Sequence, residues 1–153
     1  MKGVFLYMAK NTKDTTNTTN TKDTKNTKDT KNFKVSEFTC HCGCGFNNID
    51  QRVLDMAQVI RDELGVPVHV GSGSRCARHN AKVGGTKGSK HMLGLAADLN
   101  CSKGGKVMFD TVKKLKSEGK LPDLDYCIYY KRKNFIHIDC GGKRKSGLWE
   151  IRA

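Results

Sequence analysis

The chain has 153 residues, room for one domain of ordinary size, and only 37% of them are hydrophobic. A net charge of +13 points to a polyanionic partner: nucleic acid, an anionic membrane face or a bacterial wall polymer. No apolar run approaches the ~20 residues of a membrane helix, so no membrane span is expected. The seven cysteines, an odd number, exclude a fully paired disulfide framework within one chain.

The first ten residues hold a basic residue and an apolar stretch too short for a secretory signal. Synthesis in the cytoplasm without a signal peptide is therefore expected, with thiols free or metal-bound rather than paired. Residues 11–32 are of low complexity: Thr21-Lys22-Asp23-Thr24-Lys25-Asn26 is repeated at once as Thr27-Lys28-Asp29-Thr30-Lys31-Asn32. No side chain there builds a core, so residues 1–32 read as a disordered tail. The tail carries seven Lys and three Asp, and residues 33–153, read as one domain, are themselves basic.

Phe33 opens the globular part. Asp50 caps a helix running to about Leu64, with Val53, Ala57, Ile60 and Leu64 on one face, and Gly65 and Pro67 end it. Val66, Val68 and Val70 alternate as in a half-buried strand, and Leu95 to Leu99 reads as a second. Val107, Phe109, Val112 and Leu115 mark another helix, ending near Gly119. Tyr126 to Tyr130 and Phe135 to Asp139 form a closing hairpin around Lys131-Arg132-Lys133-Asn134. The pattern is α+β: a small antiparallel sheet with flanking helices.

The chemistry concentrates in Ser89-Lys90-His91-Met92-Leu93-Gly94-Leu95-Ala96-Ala97-Asp98. On a helix, the seven-residue gap from His91 to Asp98 would span about 10 Å, too far for one metal ion. A turn at Gly94 followed by a strand lets both side chains converge. Phe135-Ile136-His137-Ile138-Asp139 supplies a third ligand, with His137 and Asp139 on one face and Ile136 and Ile138 on the other. A His, Asp, His set leaves the fourth tetrahedral position to water, as a hydrolytic zinc site requires. Taken singly, each of these residues is more often structural; the full pattern gives them a metal role.

His91-x-x-Gly94-x-Ala96-x-Asp98 followed by a strand bearing His137 resembles the zinc D-Ala-D-Ala carboxypeptidase family. That family includes phage endolysin peptidases and shares the hedgehog/DD-peptidase fold. Ser72-Gly73-Ser74-Arg75, ending in His79-Asn80, is similar to the family's Ser-Gly-x-Arg segment, and Phe33 to Cys40 resembles the approach to the domain in phage-type members. The resemblance covers roughly residues 33–142. It implies one catalytic Zn2+ on His91, Asp98 and His137, and Arg75 as the cation steadying the substrate's carbonyl or terminal carboxylate. Ser89 then orients a ligand or the substrate. The implied substrate is the peptide of peptidoglycan, cut next to a D-amino acid by a monomer acting at the bacterial wall, reached by phage-type release. Many relatives carry a catalytic Glu three or six residues before the last His, where this chain has Asn134 and Lys131. Asp139 is the substitute base, or else holds a ligand from behind; Asp125 and Tyr130 are lesser candidates.

The remaining signals have plainer readings. His79 is read as structural, hydrogen-bonded near Arg75; His69 as an exposed strand residue; Arg78 as a solvated charge; Trp149 as a packing anchor. Cys40, Cys42 and Cys44 are open to three readings: a second, structural zinc site completed by Cys76, Cys101, Cys127 or Cys140, a disulfide, or free thiols. Lys131-Arg132-Lys133 and Lys143-Arg144-Lys145 are solvated turns or capture anionic wall polymers. Two other functions compete: a catalytically silent zinc domain that binds wall or a partner, and a basic nucleic-acid-binding module. No zinc-finger or helix-turn-helix spacing supports the latter, and no specific nucleic acid is expected.

Overall fold

A computed structural model of the chain describes residues 26–142 and 148–153. Helix α1 (Gln51–Leu64) begins where Asp50 accepts a hydrogen bond from the Arg52 amide. It buries Val53, Leu54, Met56, Ala57, Ile60 and Leu64. Strand β1 (Val68–Ser72), the short helix α2 (Ala77–Lys82) and a 3-10 turn over Lys90–Leu93 lead into β2 (Ala96–Cys101). Helix α3 (Gly105–Ser117) precedes the hairpin of β3 (Tyr126–Tyr130) and β4 (Phe135–Asp139), and β5 (Trp149–Arg152) ends the fold.

The sheet runs β1-β2-β4-β3-β5. Its first four strands are antiparallel, and β5 adds to β3 in parallel, so the expected antiparallel sheet gains a mixed edge. Side chains alternate across it as a period of two requires. Ala97, Leu99, Ile136, Ile138 and Cys127 join α1 and α3 in the hydrophobic core. Asp98 and His137, directly opposed in the β2–β4 register, face the other way. Burying Ile136 and Ile138, neither with any exposure, stabilises the hairpin by about 1.5–3 kcal/mol each. It also fixes the register on which His137 depends.

In α3, Met108, Phe109, Val112 and Leu115 are buried, whereas Val107 is 42% exposed. Of the four residues that marked the helix, Val107 alone faces outward, and Met108 beside it is buried. Trp149 packs edge-on against Phe109, with ring centroids 5.8 Å apart, as a packing anchor does. Of the tail expected over residues 1–32, residues 1–25 lie outside the described residues, as does the Lys143-Arg144-Lys145 cluster. Thr27, Lys28, Thr30 and Asn32 hydrogen-bond to Ile49, Gln51 and Gln58, so the hydrogen-bonded chain begins before Phe33. Among the described residues no helix is long and apolar enough to cross a membrane.

Gly94 makes the turn between the two halves of the motif. Its φ is +72°, and a Cβ there would sit 2.0 Å from the Asn48 carbonyl oxygen. The backbone cannot yield cheaply, because the Asp50 amide donates to the Gly94 carbonyl at 2.9 Å. Gly94→Ala is expected to destabilise the fold by about 3 kcal/mol, from left-handed strain plus overpacking. Thermal unfolding should show the midpoint falling by roughly 6–12 °C.

Candidate active site

Ser89 caps the 3-10 turn Lys90–Leu93, its hydroxyl accepting from the His91 amide at 3.2 Å. The turn delivers His91 into the protein, where it is 3% exposed. His91 Nδ1 lies 2.8 Å from the Gly73 carbonyl oxygen. A carbonyl only accepts, so Nδ1 carries the proton and Nε2 of the neutral ring is a bare lone pair. That Nε2 faces Asp98 Oδ1 at 3.3 Å. On β4 the same logic repeats with the nitrogens exchanged. His137 Nε2 donates to Asp139 Oδ2 at 2.8 Å, leaving Nδ1 to face Asp98 Oδ1 at 3.0 Å.

Three electron-rich atoms thus converge, all within 4.8 Å of one another. Such a set demands a cation or a proton between its members. Without an ion the proton serves. Burial pulls the His137 titration down, but its hydrogen bonds to the Asp139 and Asp98 carboxylates push it up to about 8. Burial works to raise the Asp98 titration, yet His137 and His91 hold the carboxyl well below the usual carboxylate range. The donor set also fits zinc. Bonds of about 2.0–2.1 Å in a tetrahedron set ligand atoms about 3.3–3.4 Å apart, close to the observed 3.0 and 3.3 Å.

Arg75 stands beside this cluster, its Nη2 3.9 Å from Asp98 Oδ2. Nη1 donates to Asn80 Oδ1 at 2.9 Å and Nη2 to Ser72 Oγ at 3.2 Å, so both ends of the fork are held. Asn80, not the neighbouring His79, makes the contact expected near Arg75. His69 and Arg78 are exposed, as read.

A cavity of about 420 Å³ opens over the cluster, lined by Arg75, Ser89, His91, Asp98, Tyr130 and His137 among others. Lys90 and Arg152 add positive charge to its wall. Arg152 donates to the Tyr130 hydroxyl at 3.2 Å, and burial raises the Tyr130 phenol above its ordinary titration, so it is neutral near pH 7. Arg152 carried no sequence signal, because β5 was not legible.

Of the two roles expected for Asp139, base or support behind a ligand, the geometry fits the second. Asp139 has no exposure and bonds the Nε2 side of His137, the edge turned away from Asp98. It opposes Ala96 across the sheet, a side chain small enough to admit a buried carboxylate. Asp139 therefore orients a histidine and fixes its tautomer, the role of a carboxylate behind a metal-binding imidazole. Asp139→Ala is expected to weaken zinc affinity by about 10–100-fold, read by competition with a chromophoric chelator. A base would instead leave affinity unchanged.

The other base candidates divide. Asp125 accepts from the Gly142 amide, outside the cavity, while Tyr130 lines it. Asn134, which stands where the resemblance leads one to expect a Glu, accepts from the Gly105 amide at the start of α3 at 2.7 Å. Cys40, Cys42 and Cys44 gather around Cys76, apart from the cavity lining.

A model of the Peptidase M15 family matches residues 31–139, more than two thirds of the chain and every residue of the cluster. The chain belongs to this peptidase family, whose substrates are peptides. No curated protein matches it.

Proposed function

We propose that the chain is a zinc metallopeptidase that hydrolyses the stem peptide of peptidoglycan next to a D-amino acid, at the wall after phage-type release. The convergence of His91 Nε2, Asp98 Oδ1 and His137 Nδ1 on the floor of a cationic cavity carries this reading. These three residues would hold the ion, with Asp139 and the Gly73 carbonyl fixing the two imidazoles. Zinc, when bound, supplies Lewis acidity toward a carbonyl oxygen and acidifies water.

The protein's own groups supply the rest. Arg75, held by Asn80 and Ser72, presents fixed positive charge to the oxyanion or the substrate's terminal carboxylate. Arg75, Lys90 and Arg152 outnumber Asp98 among the charged lining residues, which suits a substrate ending in a carboxylate. The neutral Tyr130 phenol can donate to the substrate or to the departing amine. Digestion of purified peptidoglycan by the zinc-loaded chain, followed by mass spectrometry, tests the proposal. Released D-Ala or split crosslinks support it; intact muropeptides under stoichiometric zinc refute it.

One observation favours a second reading. Asp98 is the only carboxylate among the described lining residues, and it is a member of the cluster. A zinc-binding domain with little turnover is built the same way. Zinc content measured beside turnover separates the two.

A further inference from the structure

We propose that Cys40, Cys42, Cys44 and Cys76 bind a second, structural zinc ion that fastens the loop after Phe38 to the start of α2. The four sulfur atoms lie within 4.8 Å of one another. Cys40 Sγ is 3.6 Å from Cys42 Sγ, which in turn is 3.7 Å from Cys76 Sγ. Zinc–thiolate bonds of about 2.3 Å in a tetrahedron place sulfurs about 3.8 Å apart. All four cysteines are free.

The one-residue gaps between the first three cysteines are tighter than zinc ribbons use. Here the backbone accommodates them. Gly43 and Gly45 take φ values of +88° and +84°, and the Cys40 amide donates to the Phe46 carbonyl at 2.8 Å, closing the loop on itself. This curls all three thiols inward, and the fourth arrives from 32 residues downstream in Cys76.

Backbone amides point at the sulfurs. The Cys76 amide donates to Cys40 Sγ at 3.4 Å, the His79 amide to Cys76 Sγ at 3.3 Å and the Phe46 amide to Cys44 Sγ at 3.4 Å. Donors so arranged favour thiolate over thiol, and thiolate is the form a metal takes.

The place of the site gives it a purpose. Cys76 directly follows Arg75 and caps α2, which carries the Asn80 that grips the Arg75 guanidinium. A cross-link through Cys76 anchors the segment presenting Arg75 to the cavity. The inference stands on the thiol geometry alone and does not depend on the chain being a peptidase.

The test is metal content of the purified full chain, by mass spectrometry of the metal. Wild type should hold two zinc equivalents. Cys42→Ser and His91→Ala should hold one each, and the combined variant none. A mercurial should release one equivalent from His91→Ala. Cobalt replacement in wild type should give sulfur-to-metal charge-transfer absorption, a readout that needs no cysteine variant to fold. Zinc content unchanged by Cys42→Ser, a cobalt spectrum without that absorption, or a disulfide among the four cysteines in unreduced peptide maps would overturn the proposal.

Discussion

Replacing His91 by alanine is expected to abolish stem-peptide hydrolysis and to remove the zinc equivalent held at the cavity floor. The loss should exceed the ~10²–10³-fold that follows removal of one oxyanion donor, because the ion supplies the Lewis acid itself. Only two protein ligands, Asp98 and His137, would remain. The fold should survive. His91 stands outside the hydrophobic core cluster, its turn keeps the Ser89 cap, and the Gly94 corner is untouched. Far-UV circular dichroism and a near-native unfolding midpoint would establish that. A folded His91→Ala chain that retains a tenth of wild-type turnover would contradict the assignment.

Arg75→Lys is the second large effect. Lysine keeps a positive charge beside Asp98 but loses the planar fork that reaches Asn80 and Ser72 together. kcat/KM should fall by about 10²–10³-fold if the guanidinium stabilises the oxyanion, with zinc content unchanged. The partition is informative. A drop in kcat places Arg75 on the transition state, and a rise in KM at constant kcat places it on the substrate's carboxylate in the ground state. Activity within a few-fold of wild type would remove Arg75 from the machinery.

Much of this site was legible because two periodicities did the work. Alternation in Phe135 to Asp139 put Ile136 and Ile138 into the core and turned His137 the other way. A glycine corner before a short strand brought Asp98 opposite it. The role of Asp139 stayed open between base and support for the same reason that the face of His137 was legible. Period two says which face a side chain takes, not how deep it lies, and depth depends on Ala96 across the sheet. Val107 helped to mark α3 by its apolar identity, but the helical phase buries Met108 and leaves Val107 42% exposed. Helix α2 was too short for a periodic signal, and β5 is a four-residue edge whose pairing is with a distant strand. Cys76 stood among four candidate partners for the cysteine loop, and only the fold, which brings its sulfur and amide to that loop, selects it.

Anomalous diffraction at the zinc edge, from crystals of the zinc-loaded chain, tests the central claim most directly. The account predicts a peak about 2.0–2.2 Å from each of His91 Nε2, Asp98 Oδ1 and His137 Nδ1. Zinc-loaded crystals with no density between those three side chains would contradict it.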